Sequence, residues 1–338
     1  MTVMVTGGCG LGGSFAVRYA LDQGEDVVAF DIAIKTELLD DVKDRVRFVK
    51  GDISNASEVF AAVADNGVGR ILHTASFLTG PAYDRPLAAA QTMVIGTLNV
   101  LEAARALKVE RVVHVSTGKT VPTARQFAEA AGSGNVKILP DPYTSHKVAT
   151  ELLCNDYRGL YGMDVVVIYP GQLFGPGYDF AGGFGRALKP IVEKSLRGEP
   201  VVLDAWDAAA VSTPRELNPT PPIRTVPVMY ASDAGRGEMM ATLADDLPAN
   251  VYRLQSKEEL TMYEITQIIM RLIPGSSIEA PEPEVRGGPV DPDSPANRDF
   301  GFAPEYDMEA GLREYIDFLQ TGRYSRLLGA WGDQTRTG

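Results

Sequence analysis

The sequence contains little cysteine and histidine and has no excess of positive charge. Its 338 residues include 2 cysteines and 3 histidines, and 32 lysines and arginines stand against 44 aspartates and glutamates, for a formal net charge of −12. Two cysteines exclude a disulfide framework or a cysteine-rich zinc site and indicate a reducing, cytoplasmic location. The acidic balance argues against a surface for nucleic acid. We therefore expect a small-molecule partner, uncharged or anionic.

Long hydrophobic runs are lacking as well. No apolar run approaches the roughly 20 residues of a membrane span, so we expect no membrane association. The first apolar segment, at 2–5, leads directly into a glycine turn at Gly7, which argues against a signal peptide. With 45% hydrophobic and 22% charged residues, the composition is that of a globular protein. The length predicts about two domains, or one large α/β domain with an appended lobe.

Short apolar segments alternate with helical segments through the first half of the chain. The residue types of buried strands occur at 3–5, 27–30, 46–49, 71–74, 112–115 and 165–169. Helical periodicity occurs between them at 14–21, 57–64 and 87–106. This order predicts βαβ units and a parallel sheet covered by helices on both faces.

One further helix has a clear start signal. Asp141 is an N-cap residue and Pro142 is suited to the first helical position, so a helix is predicted from there to about Arg158, before Gly159. Beyond Gly171, loops rich in proline indicate a smaller lobe. Within that region, 226–230 is predicted to return one strand to the main sheet.

A glycine-rich turn follows the first strand. Glycines 7, 10 and 13 permit a tight turn, a close approach of the backbone to a pyrophosphate and close packing of helix on strand. The alternative is a plain strand-to-helix turn. Asp31 closes the second strand 18 positions after Gly13, where a carboxylate accepts hydrogen bonds from an adenosine ribose. That acceptor repels a 2′-phosphate and favours NAD over NADP, with Lys35 as the residue that would reverse the preference.

Polar residues also end the next two strands. Asp52 is predicted either to receive the adenine amino group or to cap a helix that starts near Ser54. Thr74, Ala75 and Ser76 are predicted to lie along the cofactor.

Tyr143 and Lys147 are four residues apart on the helix after Asp141, so both point from one face. A nearby ammonium stabilises the phenolate and lowers the phenol pKa from about 10, which makes tyrosine a usable base. Ser116 and Thr117 follow a predicted strand at the ligand-binding edge of the sheet, where a hydroxyl can hold the substrate oxygen. A solvated helix face is the alternative for this Tyr–Lys spacing alone.

The chain resembles the extended short-chain dehydrogenase/reductases of the NAD-dependent epimerase/dehydratase family over nearly its whole length. The motifs that carry the resemblance are TGGCGLGG at 6–13, GDIS at 51–54, HTAS at 73–76, IGTLNVLEAA at 95–104, VST at 115–117, PYTSHKVATE at 142–151, YPGQLFGPG at 169–177 and FGFAPEYDMEAGL at 300–312. The resemblance implies a Rossmann-type, doubly wound parallel sheet with a smaller, discontinuous C-terminal substrate lobe. It places the NAD-binding domain at 1–170 with about 224–250, and the lobe at 171–223 and 251–330.

The resemblance also implies roles for single residues. Tyr143 would be the acid/base and Lys147 would act on the nicotinamide ribose and on the tyrosine pKa, with Thr117 as third member and Ser116 as the fallback. The implied NAD contacts are Gly7, Gly10, Leu11, Gly13, Asp31, Asp52, Ile53, Thr74, Ala75, Ser76, Ser116, Tyr143, Lys147, Pro170, Gly171, Gln172 and Leu173. Dimerisation through the helices that contain Gly96 and Tyr143 is common in such proteins.

The sequence departs from the family pattern at several positions. Met93 stands where the family usually has Asn, and Tyr169 and Gln172 replace a common Arg and Asn. Gly118 and Lys119 follow Thr117, where sugar-nucleotide dehydratases have an Asp–Glu pair, so dehydration is disfavoured.

The substrate lobe carries weaker signals. Arg224 and Arg286 are candidates for clamping a diphosphate or carboxylate, although either can be an ordinary surface cation. The segment 204–223 is long enough for a lid, and equally for a surface or dimer-contact loop. His73, His114 and His146 lack metal-ligand spacing, so no metal site is predicted; the first two are expected to be structural, and His146 is a candidate for shaping the pocket.

The sequence supports three functions. The leading hypothesis is an NAD-dependent oxidoreductase for a secondary alcohol or ketone of a polar, sugar-derived substrate. The alternative is a nucleotide-sugar epimerase with tightly bound NAD. A non-catalytic NAD-sensing protein on the same fold is the third.

Overall fold

The main domain of the chain is built on a parallel sheet. The computed structural model describes residues 1–121, 140–177, 183–209, 215–216, 218, 221–291 and 293–322. The strands of this sheet within these residues are β1 (Thr2–Thr6), β2 (Asp26–Asp31), β3 (Val46–Lys50), β4 (Arg70–His73), β5 (Arg111–Val115), β6 (Val165–Tyr169) and β10 (Val251–Arg253). The seven strands lie in the order β10–β6–β5–β4–β1–β2–β3.

The strand order reverses between β1 and β4. From β1 the chain adds β2 and β3 on one side, and from β4 it adds β5 and β6 on the other. In open α/β sheets, ligands bind at this switch point, at the carboxyl ends of the strands. The glycine-rich turn leaves β1 at this place, so the sheet topology itself marks the candidate site. The predicted fold class is confirmed.

Helices cover both faces of the sheet. They are α1 (Leu11–Asp22), α2 (Ala56–Asp65), α3 (Thr79–Asp84), α4 (Pro86–Ala90), α5 (Gly96–Leu107), α6 (Pro142–Tyr161), α9 (Ala231–Leu243) and α11 (Pro295–Phe300). Side chains alternate along each strand, so Val3 and Val5 pack with α1 and α9 whereas Met4 packs with α2, α5 and α6. The two apolar clusters therefore lie on opposite faces of the main sheet and form the core of this domain.

Helix α6 begins as predicted and ends later. Asp141 accepts a hydrogen bond from the backbone N–H of Thr144 at 3.1 Å and caps the helix. The helix continues through Gly159 and ends at Gly162, which has a φ of 64°. The predicted end at about Arg158 was therefore three residues short, because the left-handed conformation that ends the helix belongs to the second glycine.

The segment Pro86–Leu107 is continuous helix, with a π-helical turn at Gln91–Ile95 between α4 and α5. Among the described residues it is the one helix of 22 residues that is apolar enough to cross a membrane by length and composition alone. Val100, Leu101 and Ala104 are buried in the core of the sheet. This packing is that of a core helix.

The smaller lobe has its own sheets and helices. Its strands are β7 (Gln172–Phe174), β8 (Val201–Val202), β9 (Val226–Tyr230), β11 (Glu258–Leu260), β12 (Ile278–Glu279) and β13 (Gly288–Pro289). Its helices are α7 (Gly183–Leu196), α8 (Ala205–Ala208), α10 (Met262–Leu272) and α12 (Met308–Thr321). A separate apolar cluster that includes Phe174, Ile265 and Tyr315 forms its core.

The structure corrects one predicted strand placement. Strand β9 at Val226–Tyr230 pairs with β7 and β11 in the lobe, and not with the main sheet as predicted. The main sheet instead takes Val251–Arg253, which the sequence assigned to the lobe. A three-residue strand gives almost no periodic signal, and apolar pattern does not reveal which sheet a strand joins. Helix α9, between these two strands, packs on the main domain.

Candidate active site

The turn between β1 and α1 is built without room for side chains. Gly7 has a φ of 69°, and a Cβ atom there would lie 2.8 Å from the hydroxyl oxygen of Thr74. A Cβ on Gly13 would lie 2.2 Å from the carbonyl oxygen of Gly7. Both glycines are therefore required by the turn itself. The turn is fixed further because the N–H of Gly7 donates to the carbonyl oxygen of Phe30 at 2.8 Å.

The N-terminus of α1 suits a bound phosphate. Gly10 occupies the N-cap position with extended backbone and provides no side-chain cap, and Leu11 is the first helical residue. The first backbone N–H groups of a helix have no partner within it and carry partial positive charge. Since no side chain of the described residues caps them, the turn fits the pyrophosphate of a dinucleotide.

Asp31 lies directly against this turn. Its Oδ2 accepts a hydrogen bond from the N–H of Cys9 at 3.1 Å, and its Oδ1 accepts from the N–H of Ala33 at 3.2 Å. The carboxylate thus stands at the end of β2 beside the glycine turn, where an adenosine ribose would lie. Lys35 is exposed and lies further along the loop after β2.

Asp52 organises the turn after β3. Its Oδ1 accepts hydrogen bonds from the N–H of Ser54 at 2.8 Å and from the Ser54 hydroxyl at 2.7 Å. Helix α2 starts at Ala56, and Asn55 is its N-cap. The predicted alternative, that Asp52 caps a helix starting near Ser54, was therefore wrong, because the chain makes one more turn before the helix. Its contact with adenine stays a prediction.

Ile53 is held in place by the helix α5. A Cβ on Gly96 would lie 2.7 Å from Cγ2 of Ile53, so glycine at this position allows the isoleucine to pack on the helix. The side-chain amide of Asn99 donates to the carbonyl oxygen of Ile53 at 3.0 Å. The position of the backbone beside the predicted adenine site is thus defined from two sides.

The residues after β4 lie beside the glycine turn. The Thr74 hydroxyl donates to the carbonyl oxygen of Thr6 at 2.7 Å, and the N–H of Ala75 donates to the Thr6 hydroxyl at 3.3 Å. The Ser76 hydroxyl donates to the carbonyl oxygen of Phe77 at 2.9 Å. The end of β4 therefore forms the wall of the cleft next to the predicted pyrophosphate site.

Lys147 reaches from α6 to the carboxyl end of β5. Its Nζ donates to the carbonyl oxygen of Val115 at 2.6 Å and lies 5.9 Å from the centre of the Tyr143 ring. Burial lowers the pKa of Lys147 to about 8, against the opposing field of Glu151 and Glu238. The two residues of the predicted pair are thus together at the edge of the sheet.

Tyr143 is partly exposed at the same edge. Its ring packs against a small apolar cluster of Ala82, Ala89 and Met93, which Phe77 also borders. Met93, the apolar residue in place of the family's Asn, is itself buried against this cluster. The ring is therefore held by apolar contacts, with its face toward Lys147.

Ser116 and Thr117 differ in their surroundings. The Ser116 hydroxyl is buried and donates to Oε1 of Glu151, whose Oε2 accepts from the hydroxyl of Tyr169 at 3.0 Å. The Thr117 hydroxyl is partly exposed, and the N–H of Lys119 lies 3.5 Å from it. Since Ser116 is engaged with a buried network, the geometry favours Thr117 as the hydroxyl that meets a substrate.

Two basic side chains, Arg253 and Lys119, lie beside Thr117 and Gly118. A Cβ on Gly118 would lie 3.0 Å from Nη2 of Arg253, so the guanidinium occupies the volume that a side chain at this position would need. The Nζ of Lys119 lies 3.9 Å from Oδ2 of Asp141, and burial lowers the pKa of Lys119. Two cations therefore stand near the place where the dehydratases have an acidic pair.

The strand β7 closes the cleft on the other side. Pro170 and Gly171 precede it, and a Cβ on Gly171 would lie 2.4 Å from the carbonyl oxygen of Pro227 in β9. Gln172 begins the strand, and Cδ1 of Leu173 lies 3.9 Å from the Cβ position of Gly12. The predicted nicotinamide wall thus approaches the first turn of α1.

The sequence did not single out Glu151 or Glu238. Glu151 lies eight residues after Tyr143 on α6, and this spacing places both residues on the same face of the helix. That spacing was the signal in the sequence that could have identified Glu151. Glu238 lies on α9 with 1% of its surface exposed, and its Oε2 is 3.7 Å from the Cβ position of Gly12. No local pattern marks Glu238, because α9 reaches α1 only in the folded chain.

Two of the three histidines, His73 and His114, have structural surroundings, and the role of His146 in shaping the pocket stays a prediction. His73 Nδ1 shares a hydrogen bond with the Thr6 hydroxyl at 2.7 Å, and His114 Nε2 shares one with the Thr150 hydroxyl at 2.9 Å. Burial lowers the pKa of His73 to about 3 and also lowers the pKa of His146. Within the described ranges, no three His, Cys, Asp or Glu side chains are grouped so that they could hold a metal ion.

The two candidate arginines lie in the lobe. Arg286 is exposed, forms an ion pair with Glu282 and lies 5.3 Å from the centre of the Tyr263 ring. Arg224 is exposed just before β9. These contacts of Arg286 are with residues of the lobe, and a clamp formed by Arg224 and Arg286 stays a prediction.

Part of the segment 204–223 folds against the lobe. Asp204 caps α8 by accepting hydrogen bonds from the backbone of Trp206 and Asp207, each at 2.9 Å. The Trp206 side chain is buried, and the guanidinium of Arg215 lies 4.9 Å from its ring centre. Residues 210–214, 217 and 219–220 lie outside the described residues, so the predicted lid stays a prediction.

Known proteins are similar to this chain in sequence and in fold. A family model described as the NAD dependent epimerase/dehydratase family matches residues 3–207. The chain is 34% identical over 194 residues to the UDP-glucose 4-epimerase of Mycolicibacterium smegmatis, a match that covers 55% of this chain and 60% of that relative. It is 28% identical over 341 residues to the 2-alkyl-3-oxoalkanoate reductase of Stenotrophomonas maltophilia, covering 93% and 98%. The Thermus thermophilus UDP-glucose 4-epimerase, solved in complex with NAD, superimposes with a TM-score of 0.73 at 23% identity, covering 95% of this chain and 99% of that one.

The switch-point cleft, the glycine turn and the Tyr–Lys pair define an NAD-dependent enzyme with a Rossmann-type domain. The chain belongs to the NAD dependent epimerase/dehydratase family, whose model matches well over half of its length. The resemblance predicted from the sequence is confirmed, and NAD is the cofactor. The uncapped N-terminus of α1 and the carboxylate of Asp31 fit this dinucleotide.

Proposed function

We propose that this chain is an NAD-dependent oxidoreductase that interconverts a secondary alcohol and a ketone in a polar, sugar-derived substrate. The observation that carries the proposal is the placement of Tyr143 and Lys147 on one face of α6, beside Thr117 at the end of β5. An acid/base pair at the mouth of a dinucleotide cleft supports turnover and argues against an NAD-sensing role.

The residues divide the work between them. The Thr117 hydroxyl holds the substrate oxygen, and Tyr143 takes the proton from the alcohol or returns it to the ketone oxygen. The Lys147 ammonium stabilises the phenolate of Tyr143 through the local field. When bound, NAD supplies the hydride acceptor, and NADH the donor. Glu151 fixes the end of β5 by its hydrogen bond from Ser116.

The surroundings of Thr117 argue against dehydration. Elimination of water needs an acid and a base beside the reacting carbon. Gly118 has no side chain, and the neighbouring Lys119 and Arg253 are cations. These cations suit a substrate with an anionic group near the reacting carbon.

The second candidate is an epimerase with tightly bound NAD. It would use the same residues, and the likeness to the UDP-glucose 4-epimerase of Mycolicibacterium smegmatis favours it. In this case a transient ketone would be presented again from its other face. A nucleotide diphosphate needs a cationic clamp. Arg286 is paired with Glu282 and Arg224 is exposed to solvent, so the structure gives the epimerase reaction less support.

One experiment separates the two reactions. Freshly purified protein is denatured, and the released dinucleotide is quantified against protein. The oxidoreductase should release little NAD, bind added NAD and form NADH with a panel of aldoses, sugar acids and nucleotide sugars. Stoichiometric NAD, together with an isomeric product and no net NADH, would contradict the oxidoreductase and support the epimerase.

We also propose a homodimer in the cytoplasm. Leu87, Ile95, Leu152 and Leu160 are large apolar side chains exposed on the helical segment Pro86–Leu107 and on α6. These are the helices through which the resemblance implies dimerisation, and such a patch favours a protein partner. Cys9 and Cys154 are unpaired, which is in keeping with a reducing compartment.

A further inference from the structure

Glu238 is a buried acid at the floor of the dinucleotide cleft. Only 1% of the residue is exposed, and its Oε2 has no hydrogen-bond partner among the described residues. That oxygen lies 3.7 Å from the Cβ position of Gly12, and Cδ1 of Leu173 lies 3.9 Å from the same point. The carboxyl group therefore stands between the first turn of α1 and the predicted nicotinamide wall.

The packing leaves this carboxyl group little freedom. A Cβ on Gly235, one turn earlier on α9, would lie 2.6 Å from the backbone nitrogen of Ala16 and 2.8 Å from the carbonyl oxygen of Gly12. The two helices thus meet backbone to backbone at this point. Since neither helix can move closer or turn without collision, the Glu238 carboxyl is held beneath the turn that receives the pyrophosphate.

Few charges act on the carboxyl group. From α6, Lys147 is the charged group whose field acts on Glu238 within the described chain. On α9 itself, Asp233 and Arg236 form an ion pair with each other. His73 in β4 is engaged by hydrogen bonds, and α1 and β7 contribute Gly12 and Leu173.

We propose that Glu238 is a positioning residue of the NAD site whose carboxyl group takes up a proton when the dinucleotide binds. An ionised carboxylate in this position would lie under the negatively charged pyrophosphate. A protonated carboxyl is neutral and provides an O–H donor at an oxygen that has no hydrogen-bond partner within the part of the chain that the structure describes. The inference rests on NAD binding alone and does not depend on which reaction follows.

The electrostatics support the proposal. Burial raises the pKa of Glu238 to about 8, and Lys147 opposes this rise. The two negative charges of the pyrophosphate raise it further, and the single positive charge of the oxidised nicotinamide opposes only part of this rise. The Glu238 carboxyl is protonated below this pKa and ionised above it. NAD affinity should therefore fall as the pH rises through about 8. For one linked proton, the fall is at most about tenfold per pH unit.

The test uses NAD binding to the full chain without substrate. Titration calorimetry at pH 8.5, in two buffers of different ionisation enthalpy, counts the protons taken up, and dissociation constants are measured from pH 6.5 to 9. The variants are Glu238→Gln, which cannot ionise, Glu238→Asp, which can, and Glu284→Gln, an exposed glutamate as control. Circular dichroism checks that each variant is folded.

NAD affinity should fall at high pH in wild type, Glu238→Asp and Glu284→Gln. In Glu238→Gln the affinity should fall less, and fewer protons should be taken up on NAD binding than in wild type. Lys147 also titrates in this range, so the comparison between wild type and Glu238→Gln carries the result. Equal proton counts and equal pH dependence in these two proteins would overturn the proposal. If Glu238→Gln does not fold, a loss of pH dependence in Glu238→Asp overturns it in the same way. A failure of the proposed oxidoreductase reaction would leave both results unchanged.

Discussion

Lys147 donates a hydrogen bond from its Nζ to the carbonyl oxygen of Val115 at 2.6 Å, and this bond ties helix α6 to the end of β5. It places an ammonium group beside the residue that precedes Ser116 and Thr117. The chain buries this charge almost completely, with 4% of the residue exposed. The reactive pair is therefore assembled at a cost in folding free energy.

That cost predicts the effect of Lys147→Met on stability. Burial lowers the pKa of Lys147 from 10.5 to about 8, which corresponds to about 3 kcal/mol of destabilisation at pH 7. Loss of the charged hydrogen bond to Val115 offsets about 2 kcal/mol of the gain. We expect the variant to be more stable by about 1 kcal/mol at pH 7 in urea unfolding, and inactive.

The sign of the pH dependence checks the cause. Because the folded pKa of Lys147 is depressed, the stability of wild type relative to Lys147→Met should rise between about pH 8 and pH 10.5, where the unfolded wild-type chain binds the extra proton. The raised pKa of buried Cys154 lowers the stability of both proteins above pH 9, so the comparison between them carries the result. Lys194→Met, at an exposed lysine, serves as control and should behave as wild type. A variant that is less stable than wild type at pH 7 would contradict the prediction.

Asp31→Ala should alter cofactor choice. The Asp31 carboxylate stands beside the glycine turn, with Oδ2 bonded to the N–H of Cys9. Its removal takes away an acceptor for the ribose hydroxyls and the charge that repels a 2′-phosphate. NAD affinity should fall about tenfold, the value of roughly one charged hydrogen bond, while NADP affinity rises. Unchanged affinities for both dinucleotides, measured by fluorescence titration, would refute this basis for NAD preference.

Two glycines should respond to alanine in opposite ways. A Cβ on Gly13 would lie 2.2 Å from the Gly7 carbonyl oxygen, so Gly13→Ala should distort the turn, cost about 1–3 kcal/mol and abolish NAD binding. Gly159 lies within α6 with open space around its Cβ position. Gly159→Ala should therefore stabilise the chain by about 0.5–1 kcal/mol and leave NAD binding unchanged. Thermal unfolding and NAD titration measure both effects, and a Gly13→Ala variant that binds NAD normally would show that the turn can adjust.

The dimer can be tested on the exposed face of α6. Leu152 and Leu160 are 62% and 75% exposed in the single chain. Wild type should be a dimer by light scattering, and the double variant Leu152→Glu with Leu160→Glu should be a monomer, because a dimer would bury its charges. Val202→Glu, at a 70% exposed residue of the lobe, should stay dimeric. A monomeric wild type would contradict the proposed dimer.

The parts of the site that are local in sequence could be predicted from it. The turn at Gly7 to Gly13 is specified by residues within one strand–helix connection, and Tyr143 and Lys147 share a helix face by their spacing alone. The parallel sheet follows from repeated apolar strands of ordinary length.

The parts that depend on tertiary pairing could not. Strand β9 joins the lobe and Val251–Arg253 joins the main sheet because of partners that lie far away in sequence. Glu238 reaches Gly12 only through the packing of α9 on α1, and Arg253 fills the space beside Gly118 only because β10 lies at the sheet edge. Contacts between residues that are distant in sequence leave no periodic pattern, so they could not be predicted from the sequence.

The assignment of Tyr143 has the most direct test. Tyr143→Phe keeps the ring that packs against the cluster of Ala82, Ala89 and Met93 and removes only the hydroxyl, so NAD affinity should stay within about twofold of wild type and the variant should fold normally. Turnover should fall by about 10²- to 10⁴-fold, the range expected for loss of a general acid/base. The control is Tyr169→Phe, which removes a hydroxyl that donates to Glu151 at 3.0 Å and has no proposed part in proton transfer, so this variant should retain most activity. Measured turnover of Tyr143→Phe at the wild-type rate would mean that another group moves the proton, and Lys147 would then lose its proposed role as well.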